Sequence, residues 1–441
     1  MAVIFILQPI STIRTLDYWF PAISIALGVI SWMLVAKKDI RIKKKNISTI
    51  IAIILFLIFI GLSRFFSVIN IQKIISPPNI ISIIIFLILL GVILSLVYSA
   101  KNQNMILWGI VSLILIIFIL IKNEFLAYKV SFYLRKMNDQ STNLAASKEI
   151  VWIGYSYISF RIIHTLIESK KRKGIDVTLK TYLIYLFYFP AFLAGPIEKI
   201  DNFIHEISSN TKLKSEDLLS GGKRIAIGLF QKFIVADTLA IISINENLSQ
   251  EVTPSFWMLV MVLAYSLRIY FDFNGYTHIA LGISEFLGIK LPENFNKPLR
   301  SPTLTIFWNN WHMTLTQWFR TYYFNPLTRF FKSKYKSMNQ QILMGFMQIS
   351  TMILIGLWHG ISYNFLVWGA WNGFGLFIQN KFSGFLLKKL RKGKPLWQIS
   401  KISQLCSTIF TFTFITLGWV WFALPDLNSS LRVFRVLIGR K

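Results

Sequence analysis

The 441-residue chain holds one cysteine, Cys406. This excludes an intramolecular disulfide and any cysteine-rich metal site, and it is silent on compartment. Charge is also scarce: 15% of the residues are Asp, Glu, Lys or Arg, against about 25% in soluble proteins. So few charges cannot cover the surface of soluble domains adding up to this length. Acidic residues are the scarcer sign, 19 against 47 Lys and Arg, which leaves a net charge of +28. There is no Walker A loop, no G-x-G-x-x-G, no H-E-x-x-H and no G-x-S-x-G. No internal repeat and no Pro/Gly/Ser linker divides the chain. No basic segment precedes the first apolar run, because Met1 to Leu7 leads straight into Gln8 and Pro9. That run is expected to serve as an uncleaved insertion signal.

What the chain has is apolar length. Hydrophobic residues make up 54% of it, with 38 Phe. They gather in runs near the ~20 residues needed to cross a hydrocarbon core of about 30 Å. Eleven runs read as spans: 18–36, 47–66, 80–100, 104–121, 149–168, 179–195, 218–243, 255–273, 341–358, 361–380 and 402–423. The fold class is therefore an all-α polytopic integral membrane protein, a single multi-pass membrane domain over 1–441. The basic residues lie between runs, in Lys37, Lys38, Arg41 and Lys43–Lys45 and again in Lys170–Lys173. Such clusters mark cytoplasmic loops beside anionic headgroups, so membrane lipids are expected partners and nucleic acid is not. Placing 37–45 inside puts the N-terminus outside, and alternation through the next four runs returns 170–173 to the inside.

The two parts differ in kind. Residues 1–121 are nearly pure Ile, Leu and Phe, as expected of lipid-facing spans. From about 150 onward His, Asn, Asp, Arg, Trp and Gly recur in the runs. An intramembrane charge costs about 2.5–3.5 kcal/mol on insertion scales, so such groups face a cavity, a partner or a reaction path. Function is expected in 150–440.

Four stretches stand out. In 301–324, Ser301-Pro302 resembles a helix start. Trp308, Trp311, His312, Leu315, Phe319 and Tyr322 then share one helical face, with Asn309, Asn310, Thr316, Gln317 and Arg320 mostly elsewhere. This is too polar to span. It is either an interfacial aromatic-belt helix or a segment dipping into a protein-lined cavity with His312 on its aromatic side. Next, Gly356-Leu357-Trp358-His359-Gly360 ends one run, and Asn364, Trp368, Gly369, Trp371, Asn372 and Gly373 follow. Glycines beside His359 suit either a reactive position on a tunnel wall or a packed helix corner. Trp-rich surroundings should keep the imidazole neutral, as a general base requires. In the third stretch Arg268 and Asp272 are four apart and able to pair, and Asn274-Gly275 before Thr277 and His278 signals a turn inside the span. In the fourth, Tyr188 to Glu198, two prolines and a glycine imply a kinked or re-entrant segment. His164 and His205 look ordinary.

The order FPAFLAGPIEK, FDFNGYTHIALGISEFLGIKLPENFNKPLRS, FWNNWHMTLTQWFRTYYFNPL and GLWHGISYNFLVWGAWNG resembles the membrane-bound O-acyltransferase (MBOAT) family over about residues 150–440. The likeness is to the bacterial branch holding alginate O-acetyltransferase, the peptidoglycan O-acetyltransferases and the teichoic-acid D-alanyl transfer protein. The ending GWVWFALPDLNSSLRVFRVLIG is more similar to the alginate type. The resemblance implies interfacial and re-entrant helices around a central tunnel in the cytoplasmic (inner) membrane. An acyl group, acetyl in the first reading, would pass from a cytoplasmic thioester to a hydroxyl of an extracytoplasmic polysaccharide, its carrier or a partner acyl-accepting protein. The donor would be acyl-CoA (acetyl-CoA) or an acyl-carrier thioester, used as co-substrate with no bound cofactor and no metal. The family's two histidines carry over onto His359, as general base, and His312. Trp308, Trp311, Asn309, Arg320, Trp358, Asn364 and Asp272 are the expected substrate-binding residues around them. The chain departs from the family pattern at Asn310, where Arg is frequent, at Thr321, where Asp is usual, and near His278, where an acidic residue is frequent. The rival readings are D-alanyl transfer from a carrier protein towards teichoic acid, a membrane transporter and a pseudoenzyme that anchors partners.

Overall fold

Long apolar runs become helices where a side chain can satisfy the first free backbone N–H groups. Asn79, Asn102 and Asn123 do this, accepting from the N–H of Ile81 at 3.2 Å, Met105 at 3.2 Å and Leu126 at 3.0 Å. The computed structural model describes residues 1–65, 75–209, 213–337, 339–390 and 401–440. Residue 66, the last of the run 47–66, lies outside the described residues. Among these, helices are the regular elements, apart from one isolated bridge between Ala36 and Ile175. The chain divides into two compact units, Met1–Thr211 and Lys212–Lys441.

The first unit holds α1 (Ala2–Ile6), α2 (Leu16–Val35), α3 (Lys38–Arg41), α4 (Lys44–Leu62), α5 (Ile80–Ser99), α6 (Gln103–Lys122), α7 (Glu124–Met137), α8 (Tyr155–Arg172), α9 (Leu179–Leu186) and α10 (Ile200–Ser208). Exposure along it is uneven. The apolar windows of α5 and α6 are 11% and 22% buried, whereas that of α2 is 78% buried. α2 is enclosed because its few polar groups find partners inside the unit. Asp17 accepts from the Ser76 N–H at 2.8 Å, and the Trp32 indole donates to Val177 O at 3.0 Å. The Tyr182 hydroxyl bridges Ser31 and Thr165 at 3.1 and 2.9 Å. Arg161, buried on α8, donates to Tyr185 O, Leu186 O and Ala191 O, satisfying carbonyls where α9 stops. Outside the spans, Glu149 accepts from Arg135 and from Ser131, and the Arg135 guanidinium holds its carboxyl down to about 2.

The second unit holds α11 (Ser215–Leu229), α12 (Asp237–Ile242), α13 (Glu246–Glu251), α14 (Ser255–Phe286), α15 (Leu304–Asn310), α16 (Met313–Phe319), α17 (Asn325–Lys334), α18 (Gln340–His359), α19 (Tyr363–Leu390), α20 (Lys401–Ala423) and α21 (Leu427–Leu437). π-helical turns at Phe230–Ala236 and Arg320–Phe324 join α11 to α12 and α16 to α17. α14 runs unbroken for 32 residues, so Asn274-Gly275 is not the turn its dipeptide signals. Gly275 is a crossing point instead. A Cβ there would lie 2.8 Å from Gly228 O, and one on Gly282 would lie 2.5 Å from Gly221 O. The two glycine pairs are seven residues apart on each helix and fix an antiparallel, close-packed seam between α11 and α14.

Among the described residues eight helices are long and apolar enough to cross a membrane: Leu16–Val35, Lys44–Phe65, Ile80–Ser99, Gln103–Lys122, Ser215–Glu251, Ser255–Phe286, Gln340–His359 and Ile402–Ala423. The sequence suggested eleven. Of the other three, 179–195 contains only the eight-residue α9 and a 3-10 turn at Phe189–Ala191, about 12 Å of α-helix. The irregular path after Leu186 agrees with the kink expected there. The run 149–168 becomes helical only at Tyr155 and then carries Arg161, His164 and Glu168. In 361–380 α19 is long enough, but Asn364, Asn372, Gln379 and Asn380 dilute its apolar character. The chain is a helical, multi-pass integral membrane protein.

Candidate active site

The segment around His312 is not one helix. Thr303, rather than Ser301-Pro302, caps its start, accepting from the Ile306 N–H at 3.2 Å. α15 ends at Asn310; Trp311 is extended, and His312 sits at φ 43°, ψ 54° before α16 resumes. A non-glycine residue in the left-handed region costs of order 1–3 kcal/mol and persists only where its surroundings hold it. Asn294, fully buried, is the clamp. Its carbonyl O accepts from the Met313 N–H at 2.9 Å and its side-chain oxygen from the Thr314 hydroxyl at 2.7 Å, while the Asn296 N–H donates to Asn310 O at 3.0 Å. The break turns His312 out of the helical repeat, so the single aromatic face read from spacing does not exist as such.

The outcome for His312 is enclosure. It is 3% exposed, and neither ring nitrogen has a hydrogen-bond partner among the described residues. The Phe273 ring stands edge-on at 4.7 Å and the Trp358 ring lies at 6.2 Å. His312 lies outside the spanning helices, and burial pushes its imidazole down to about 3. It is a neutral ring in apolar surroundings, able to donate from one nitrogen and accept at the other.

His359 ends α18 and is half-buried. Trp358 lies 4.7 Å from it, Phe422 4.9 Å and Trp368 5.7 Å, with Phe365 stacked at 6.1 Å. Trp358 thus touches both histidines. The flanking glycines serve packing. A Cβ on Gly356 would lie 2.2 Å from Phe365 O, and one on Gly360 would lie 2.5 Å from the Phe365 ring. They bring α19 against α18 and set Phe365 beside the imidazole; the room they make is filled by protein.

Trp308, Asn309 and Arg320 line a cavity of about 150 Å³ together with Thr305, Thr316 and Gln348. The Arg320 guanidinium, on the π-helical turn after α16, donates to the Asn309 side-chain oxygen at 2.6 Å. Trp308 is 6% exposed, and its indole N–H has no partner among the described residues. Trp368 links this cavity to the histidines, standing 5.7 Å from Trp308 and 5.7 Å from His359. Trp311 is packed in the same aromatic cluster, 5.3 Å from Trp419, which stacks on Trp368 at 5.6 Å.

Two expected site residues stand elsewhere. Asp272 does not pair with Arg268. It accepts from Lys232 Nζ at 2.5 Å, because the π-helical turn in Phe230–Ala236 aims that lysine across the α11–α14 seam. Asn364 is 2% exposed and its amide is already engaged, donating to Leu424 O at 2.8 Å, Ser430 Oγ at 3.0 Å and Asp426 O at 3.1 Å. It ties α19 to the link between α20 and α21, so its donors are not available to a substrate. Sequence reading missed Asn294, Lys232, Phe273 and Phe422, and it named Trp368 beside His359 without giving it a role in the site. The available signal for Lys232 was its place in the middle of the run 218–243, since an intramembrane charge demands a partner. No group of three or more metal-ligating side chains occurs among the described residues.

A model of the membrane-bound O-acyltransferase family matches residues 95–417, which include all nine expected site residues. The chain is 29% identical over 294 residues to a protein named probable alginate O-acetylase in Pseudomonas putida, covering 65% of the chain and 55% of that protein. It is 29% identical over 282 residues to the teichoic acid D-alanyltransferase of Bacillus subtilis, covering 62% and 69%. To the peptidoglycan O-acetyltransferase of Helicobacter pylori it is 30% identical over 263 residues, covering 58% and 46%. The chain thus spans about half to two thirds of the length of these curated relatives.

Proposed function

The chain belongs to the membrane-bound O-acyltransferase family, and we propose that it moves an acetyl group from a cytoplasmic thioester, acetyl-CoA or an acyl-carrier protein, to a hydroxyl of an extracytoplasmic polysaccharide or its carrier. Its place would be the cytoplasmic membrane. The observation that supports this most is that one ring, Trp358, packs against both histidines, at 6.2 and 4.7 Å between rings.

A hydroxyl must lose its proton as it attacks, and a positioned base contributes about 10²–10⁴-fold. In this reading the His359 imidazole takes the proton while the hydroxyl oxygen bonds to the acyl carbon. The tetrahedral intermediate then expels the thiolate, which takes up a proton. His312, enclosed and neutral, orients the acceptor or donates to the developing oxyanion. The cavity beside Trp308, at about 150 Å³, is below the 300–1,000 Å³ typical of drug-sized ligand pockets. That size favours a short acyl group. D-alanyl transfer is the second reading, since the relatives include a teichoic acid D-alanyltransferase matched over 69% of its length.

The test is chemical analysis of surface polymers from cells with and without the protein. Ester-linked acetate that disappears with the gene and returns with it supports acetyl transfer. Ester-linked D-alanine behaving in that way moves the assignment to the second reading, and unchanged polymers under both analyses refute the acyl-transfer reading.

A further inference from the structure

The far end of the second unit carries a second, larger cavity of about 370 Å³, lined by Gln250, Thr253, Asn428, Arg432, Arg435 and Arg440 among others. Among the described residues no carboxylate lines it, and none of the described ion pairs includes its three arginines. The frame around it is fixed. Val433 and Val436 of α21 are buried against Ile244, Met258, Val262 and Val420. Ser255 Oγ donates to Val436 O at 2.6 Å, and Gln250 Nε2 donates to Ser429 Oγ at 3.2 Å. The Arg432 guanidinium donates to Ser249 O, tying it to α13. Beyond α21 the chain reverses at Gly439, φ 76°, and the Arg440 N–H returns to Arg435 O at 2.9 Å. This left-handed cap brings Arg440 back towards Arg435.

Three guanidiniums around one cavity repel one another unless an anion lies between them. Their planar forks suit oxyanions of phosphate geometry. On the same helix and just past it, Leu431 is 42% exposed and Ile438 69% exposed. Apolar side chains beside basic ones are the pattern of a helix lying at a membrane surface. The geometry points to a phosphate-binding site formed by Arg432, Arg435 and Arg440, separate from the histidine cluster, whose ligand is the phosphate of an anionic lipid headgroup or of a soluble phosphate ester.

The purified full chain, placed in nanodiscs of phosphatidylcholine doped with phosphatidylglycerol, is to be compared with Arg435→Gln/Arg440→Gln by native mass spectrometry of the lipids retained. Each basic side chain near an anionic surface contributes about fivefold, so the double variant should lose about 25-fold in preference for phosphatidylglycerol. Arg440→Gln alone, beyond the helix end, gives the fivefold step should the double variant fail to fold. In a parallel arm the detergent-solubilised protein is titrated with glycerol phosphate. Arginine-dependent binding there, without a lipid preference, supports the phosphate site with a soluble ligand. A wild-type chain that neither prefers phosphatidylglycerol nor binds glycerol phosphate overturns the inference, as does a variant indistinguishable from wild type in both arms.

Discussion

Asn364 separates a substrate contact from a structural tie, and the structure sets the size of the effect. Asn364→Ala removes two N–H donors shared among Leu424 O, Ser430 Oγ and Asp426 O, at a site 2% exposed. A buried acceptor left without its donor costs about 1–3 kcal/mol. The Asp426 carbonyl keeps the Ser430 hydroxyl at 3.2 Å and the Ser430 N–H at 3.3 Å, so the loss centres on Leu424 O. The expected destabilisation is roughly 1–3 kcal/mol. In a unit of this size that lowers the unfolding temperature by roughly 2–12 °C. Ser430→Ala, which removes one acceptor and leaves no donor stranded in the backbone, should cost about 1 kcal/mol. The double variant should lose less than the sum of the two. The assay is thermal unfolding of the detergent-solubilised chain, with acyl transfer per folded molecule measured below the transition. Asn364→Ala should unfold early yet transfer at near wild-type rate while folded. Unchanged stability with a raised KM would contradict the structural role and restore Asn364 to the substrate site.

The Lys232–Asp272 pair should show as coupling. Lys232 and Asp272 lie on two spanning helices, so each single alanine should lower stability and the double variant should lose less than the sum of the two, whereas Arg268→Ala should leave Asp272 uncoupled; strong Arg268–Asp272 coupling would refute the assignment. Acid should destabilise the fold in two windows. His312 is neutral in both states above pH 6.5, and as pH falls from there towards about 3 only the unfolded chain binds its proton. The folded state then loses up to about 1.4 kcal/mol per pH unit, and His312→Gln should flatten unfolding between pH 6.5 and 5. An identical slope in that variant would rule the burial argument out. Glu149, down to about 2 from 4.5, contributes stability above pH 4.5 that disappears as pH falls towards 2, and Glu149→Gln should remove that lower step.

Apolar run length made the spanning helices readable because a bilayer imposes one length on all of them. Eight of the expected spans correspond to helices that meet the requirement. The failures share a cause. Asn274-Gly275 carries a turn dipeptide, but α11 supplies a glycine partner opposite Gly275, and tertiary packing overrides the local signal. Arg268 and Asp272 have the spacing of a pair, but a π-helical turn, which leaves no mark in a periodicity reading, delivers Lys232 instead. The 301–324 segment has helical spacing throughout, yet a buried Asn294 from another part of the chain breaks it at His312. The histidines themselves were legible, because a polar ring flanked by tryptophans in a charge-poor chain has few structural uses. That Trp358 contacts both was not, since His312 and His359 reach the same tryptophan only by the packing of non-adjacent elements.

The most direct measurement is single-turnover acyl transfer by the purified chain in proteoliposomes, supplied with a labelled thioester on one side and the acceptor polymer on the other. If His359 is the base, His359→Ala should lower the rate by about 10²–10⁴-fold with yield, membrane insertion and unfolding temperature unchanged. His312→Ala should impair transfer to a lesser extent. A well-folded His359→Ala protein that transfers at near wild-type rate would contradict the assignment of His359 as the base.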